Sequence, residues 1–128
     1  MREQLKSKIH RACVTDANVN YEGSISIPVD LLEQVDLWEG EKVLVVSATN
    51  GARLETYVQP GSRGSGAIIM NGGAAHLIQQ GHRISILAFA GASERIGAKK
   101  ILCNERNEVV SCPTQGTPAC QSTSRATN

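Results

Sequence analysis

The chain has 128 residues, a formal net charge of +1 and 3% aromatic residues. Near-neutral charge supplies no field to gather nucleic acid or an anionic membrane, and so few aromatics leave no base-stacking surface. No apolar run reaches membrane-spanning length, and "MREQLKSKIH" lacks the apolar centre of a signal peptide, so a single cytoplasmic domain is expected. "KIHRACVT", Lys8–Thr15, alternates weakly and predicts a strand, followed by the loop "DANVNYEG". "SISI", Ser24–Ile27, alternates at period two; Pro28 then suits the start of a short helix over "VDLLEQVDL", with Gly40 ending the unit. "EKVLVVSA" and "RLETYVQ" flank Asn50-Gly51 and predict an antiparallel hairpin. "PGSRGSG" reads as a loop, "AIIM" as a short buried strand, and "NGG" as a turn into a brief helix, "AAHLIQQ", stopped by Gly81. "HRISILAFA" is a further strand, and "KKILCNERNEVV" a hairpin turning at Glu105–Asn107.

A weak repeat runs through this pattern. "LLEQVDLWEGEKVLVV" and "AAHLIQQGHRISIL" each carry a helical turn, a Gly, a polar pair and an apolar strand. Strand number and repeat together predict a mainly β, barrel-like domain with two short helices over residues 1–110. The remainder, 111–128, is polar, Pro-containing and short of large apolar side chains, and is expected to be a disordered tail. Cys13, Cys103, Cys112 and Cys120 contain no Cys-x-x-Cys pair, and His10, His76 and His82 are scattered, so no metal site is expected.

The chemically notable pair is Gly23-Ser24, at the head of "GSISI". A turn that presses Ser24 Oγ against the Gly23 carbonyl would allow an N-to-O acyl shift, and elimination from the ester would leave a ketone-bearing residue 24. Such a ketone condenses with amines and withdraws electrons, as pyridoxal phosphate does. Gly-Ser is also an ordinary turn dipeptide. Its neighbours decide between these readings. "LKSKIHRACVT", "NYEGSISI", "NGARLETYV", "RGSGAIIMNGGAAH" and "GHRISI" follow one another as in pyruvoyl-dependent aspartate 1-decarboxylases, a family that roughly the first ninety residues resemble.

The resemblance implies a double-psi β-barrel that cleaves itself between Gly23 and Ser24 and assembles as a homotetramer with active sites between subunits. It implies decarboxylation of L-aspartate to β-alanine and CO2 through a Schiff base, for pantothenate and coenzyme A synthesis. The cofactor implied is a covalent pyruvoyl group derived from Ser24, with neither metal nor pyridoxal phosphate. Ser24 matches the pyruvoyl precursor, Gly23 the new C-terminus and Tyr57 the proton donor. Lys8, Arg53, Thr56 and Gly72-Gly73-Ala74 match substrate-binding positions; His10, Tyr21 and Asn71 match residues lining the same pocket.

The residue types suit those roles. Two substrate carboxylates call for fixed cations, Arg53 as a bidentate fork and Lys8 as a point charge. Backbone N–H groups of the "NGGA" turn can hold an anionic oxygen. On a strand, Arg53, Glu55 and Tyr57 share one face and Thr56 the other, which would bring Arg53 and Tyr57 to one pocket. Two positions depart from the family pattern: Gly73 stands where Ala is usual, and His82 where Asp is usual. Whether cleavage is spontaneous or aided by a maturation factor stays open at this point. A competing resemblance runs over "GSISIPVDLLEQVDLWEGEKVLVV", to swapped-hairpin DNA-binding regulators. It uses only the middle third of the chain and puts Asp30, Glu33 and Asp36 where phosphate-binding cations are needed. A non-catalytic barrel of the same fold is the other alternative.

Overall fold

Nine strands, one α-helix and one turn of 3₁₀ helix make up residues 1–111, the part of the chain that the computed structural model describes. Strand β1 spans Arg2–Cys13, six residues more at its start than the apolar alternation predicts. Backbone pairing with β7 carries the polar stretch "REQLKS" into the sheet, and β8 pairs the other edge over Ser7–His10. Register breaks between Leu5 and Ser7 and between Ile9 and Ala12, with Arg11 left-handed at φ 60°, bend it around the core. Strand β2, Asp16–Asn18, falls within the expected loop and is held by three parallel register pairs.

Strand β3 (Ser24–Pro28) feeds helix α1 (Val29–Val35), which buries Leu31, Leu32 and Val35. The helix stops at Asp36, left-handed at φ 57°, before the expected Gly40; Lys6 Nζ donates to the Asp36 carbonyl and pairs with Glu41 at 3.2 Å. Strands β4 (Lys42–Ser47) and β5 (Arg53–Gly61) form the hairpin that Asn50-Gly51 announces, with Gly51 at φ 78° and Asn50 Oδ1 accepting from the Ala52 N–H. Strand β6 (Ile69–Asn71) leads into the 3₁₀ helix Gly72–His76, a single turn where a longer helix was expected. Strand β7 (Arg83–Ala92) follows, then the hairpin β8 (Lys99–Cys103) and β9 (Val109–Ser111). Ser111 thus belongs to a strand; the rest of the expected tail lies outside the described residues.

The strands form one sheet in the order β2-β6-β3-β5-β4-β7-β1-β8-β9. Inward residues from across that order, among them Met70, Ile25, Val58, Val45, Ile86, Ile9, Ile101 and Val109, join a single buried cluster. A sheet whose inner face closes on one core is a mainly β barrel, as expected, and each buried Ile contributes about 1.5–3 kcal/mol. The two halves of the weak repeat meet directly, since β4 and β7 are antiparallel neighbours with Val45 opposite Ile86. Near the turn into β9, the buried Asn107 sits at φ 61°; its Nδ2 donates to the Cys13 and Gly66 carbonyls, and its Oδ1 accepts from the Cys13 N–H. Burial pushes the Cys103 thiol up to about 12, so this cysteine is inert packing. No helix among the described residues is long and apolar enough to cross a membrane.

Candidate active site

Ser24 is the first residue of β3 and is only 4% exposed, while Tyr21, Glu22 and Gly23 before it are exposed. The peptide between Gly23 and Ser24 therefore sits where a solvent-facing loop enters the barrel. Ser24 pairs with Asn71 across β3 and β6, and Asn71 Nδ2 donates to Ser24 Oγ at 3.1 Å. Gly72, the next residue, is buried with φ +76°. A Cβ there would lie 2.6 Å from Gly23 Cα, 2.7 Å from Gly23 N and 3.0 Å from the Tyr21 carbonyl oxygen. The turn after β6 thus holds the Ser24 hydroxyl with one residue and supports the preceding backbone with the next.

Gly73, by contrast, is exposed, and an added Cβ would meet nothing within 4 Å. The departure from Ala at this position costs no contact. His82, the other departure, bonds through Nδ1 to Ser47 Oγ at 3.2 Å at the start of β7.

Tyr57 stands beside this group. Strands β3 and β5 run parallel with Ile25 opposite Val58, so one step back along each strand brings Ser24 level with Tyr57. Ile25 and Val58 point into the core, and alternation turns Ser24 and Tyr57 to the other face. Thr56 is opposite the buried Val43 and takes the inward side, whereas Arg53, Glu55 and Tyr57 are opposite Val46, Leu44 and Lys42 on the outward side. Shared face does not mean shared pocket. Arg53 is four residues from Tyr57, about 13 Å along the strand.

Lys8 and His10 lie elsewhere. Both are on β1, and β7 and β4 intervene between it and β5, a separation of about 14 Å across the sheet. They share an outward face with Arg53: one row runs Arg53, Val46, Ser85, with Ser85 Oγ bonded to His10 Nδ1 at 3.0 Å. The adjacent row runs Glu55, Leu44, Leu87, Lys8. Partial burial lowers the His10 pKa below the ordinary histidine value, and the charges of Lys8, Arg11 and Arg83 lower it further. A neutral imidazole that bonds Ser85 results. No hydrogen bond or ion pair among the described residues engages the side chain of Arg53 or Lys8. Arg83, which donates to the Arg11 and Cys103 carbonyls, and Ser85 belong to this surface too. Both lie in the "GHRISI" motif, but only the pairing of β7 with β1 reveals their place on this surface.

The chain therefore divides the expected residues. Ser24, Tyr57, Asn71, Gly72, Gly73, Ala74 and Tyr21 gather at the head of β3. Lys8, His10 and Arg53 occupy an outward sheet face. A separate cleft of about 500 Å³, lined by Lys6, Asp36 and Trp38–Glu41, includes none of them.

A model of the aspartate decarboxylase family matches residues 1–110. The chain belongs to the aspartate decarboxylase family. Among its relatives is the Aspartate 1-decarboxylase of Pseudothermotoga lettingae, 50% identical over 112 residues, which cover 86% of this chain and 97% of that protein. That of Bacillus subtilis is 45% identical over 112 residues, 84% of this chain and 88% of the relative. A family match over residues 1–110 reaches far beyond the middle third on which the DNA-binding resemblance rested, and does not favour that alternative. Ser24 has a held hydroxyl beside an exposed, small preceding residue.

Proposed function

We propose that the chain is a proenzyme that cleaves itself between Gly23 and Ser24 and then decarboxylates L-aspartate to β-alanine and CO2 in the cytoplasm, for pantothenate synthesis. The observation that carries this reading is the Ser24 hydroxyl held by Asn71 next to an uncovered Gly23, in a chain of this family. Ser24 Oγ attacks the Gly23 carbonyl carbon; the C–N bond breaks, and the hydroxyl proton passes to the Ser24 nitrogen. The resulting ester loses the Ser24 α-proton and expels the Gly23 carboxylate. Water then replaces the nitrogen, released as ammonia, and residue 24 retains a ketone. That pyruvoyl ketone supplies the electron sink for a substrate amine.

The chain's other groups bind and protonate. Arg53 and Lys8, whose side chains have no partner among the described residues, suit two carboxylates, Arg53 by a planar fork and Lys8 as a point charge. Tyr57, level with Ser24, is the hydroxyl donor placed to deliver a proton to the carbon that has lost its carboxylate. The turn Gly72-Gly73-Ala74 lines the substrate's other side, whereas Thr56 faces inward on β5, on the opposite face from Tyr57. The separation of Lys8, His10 and Arg53 from Ser24 within one subunit supports a homotetramer whose sites join the two groups across a subunit boundary. Half-buried Leu44, Val46 and Leu87 between those cations suit such a boundary. Assay of L-aspartate consumption and β-alanine release by the wild-type and Ser24→Ala proteins tests the reading: activity in the first and none in the second is expected. Equal activity in both would refute it.

A further inference from the structure

Six glycines among the described residues have positive φ, and most of them are turn positions with open space around them: at Gly40, Gly51, Gly64 and Gly81 an added Cβ would meet nothing within 4 Å. Gly72 differs. Its missing side chain is replaced by the backbone of Gly23, with Cα 2.6 Å and N 2.7 Å from where a Cβ would stand. The crowding has one direction, because a Cβ on Gly23 itself would meet nothing within 4 Å. Asn71, one residue earlier, donates to Ser24 Oγ at 3.1 Å. Two consecutive residues of one turn thus touch both parties to the acyl shift, the nucleophile and the residue that bears the electrophilic carbonyl.

We propose that Gly72 is a positioning residue for self-cleavage: its bare Cα lets the Gly23 backbone rest on the turn after β6, which presents the Gly23 carbonyl to the Ser24 hydroxyl held by Asn71. This role rests on the self-cleavage reading above. Any Cβ at position 72 must push Gly23 away, and a misplacement of about 1 Å between reacting groups costs about 10²-fold in rate. A left-handed turn alone would be satisfied by Asn, which tolerates φ > 0 far better than Ala. Crowding is not satisfied by Asn, because Asn also carries a Cβ.

The experiment follows cleavage by intact mass in wild-type, Gly72→Ala, Gly72→Asn and Gly81→Ala proteins, with thermal melts to establish folding. Gly81, at φ +91° in open space, reproduces the backbone strain without the clash. Both position-72 variants are expected to cleave about 10²-fold more slowly than wild type, and Gly81→Ala at the wild-type rate. Hydroxylamine, which cuts esters, should fragment partly processed wild type and leave the position-72 variants intact, since the block precedes the ester. Folded Gly72→Asn that cleaves as wild type, or a position-72 variant that accumulates a hydroxylamine-sensitive ester, overturns the role. The Ser24→Ala precursor gives a test that needs no change at position 72. A proton NMR contact between the α-hydrogens of Gly72 and Gly23 is expected, and its absence overturns the proposal. Wild-type protein that stays one chain refutes the self-cleavage reading itself; cleaving wild type alongside normally cleaving position-72 variants refutes only the role of Gly72.

Discussion

At the scale of single residues, Tyr57 and Arg53 lie about 13 Å apart on the same strand, and the proposed function gives them separate roles. Cleavage needs the Ser24 hydroxyl and not a phenol proton, so Tyr57→Phe should still yield two fragments. Its β-alanine production should fall about 10²–10⁴-fold, the usual cost of a lost proton donor; unchanged production by the processed variant would assign the proton to another group. Arg53→Lys keeps a charge and loses the planar fork. Aspartate affinity should weaken by about 1–3 kcal/mol, measured as KM and by inhibition with a dicarboxylate analogue, and unchanged values would remove Arg53 from the site. His10 gives a pH signature. Its folded pKa is below 6.5, so the unfolded chain binds a proton that the folded one resists. The stability it contributes is present above that value and is lost as pH falls through the lower, folded pKa. Urea melts of the Ser24→Ala protein at pH 7 and pH 5 should show a larger loss than the same melts after His10→Gln; identical losses would contradict the shift. The sequence singles these residues out because their motifs occur in order. It does not show the bond from Asn71 to Ser24, since this joins positions 47 apart that only the β3–β6 register brings together.

At the scale of elements, alternation and turn chemistry located β3, β4, β5 and the last hairpin, each with apolar residues at period two beside a Gly or Asn turn. They missed the first half of β1 and all of β2. Both are polar, and both are strands because neighbours supply their hydrogen bonds, a tertiary cause that no local pattern carries. The position of β1 has a consequence for the processed enzyme. Cleavage after Gly23 would release a fragment that contains β1, yet β1 pairs with β7 on one side and β8 on the other, and Ile9 is fully buried. The fragment should therefore co-elute with the rest of the chain on size-exclusion chromatography in the absence of denaturant. Its loss from the purified processed protein would show that the sheet does not hold it. Ile9→Ala should destabilise the chain by about 2–5 kcal/mol in urea melts.

At the scale of the whole molecule, the barrel class was readable from strand count and the repeat, which the structure realises as neighbouring β4 and β7. The site as a whole was not. Sequence order brings Lys8, Arg53 and Ser24 into one list, whereas the sheet order puts two strands between β1 and β5 and sends their residues away from the head of β3. If the halves combine across subunits, mixed tetramers of Lys8→Ala and Ser24→Ala chains should recover β-alanine production that neither variant has alone; no recovery in verified mixed assemblies would confine the site to one subunit. All of this depends on the bond between Gly23 and Ser24. The most direct test is the intact mass of purified protein, incubated with and without cell extract until no further change occurs. The 13.7 kDa wild-type chain should resolve into Met1–Gly23 and a larger fragment whose first residue carries a ketone in place of an amine, while Ser24→Ala stays whole. A wild-type chain that remains at 13.7 kDa under both conditions, or a Ser24→Ala chain cut at the same bond, would contradict the account.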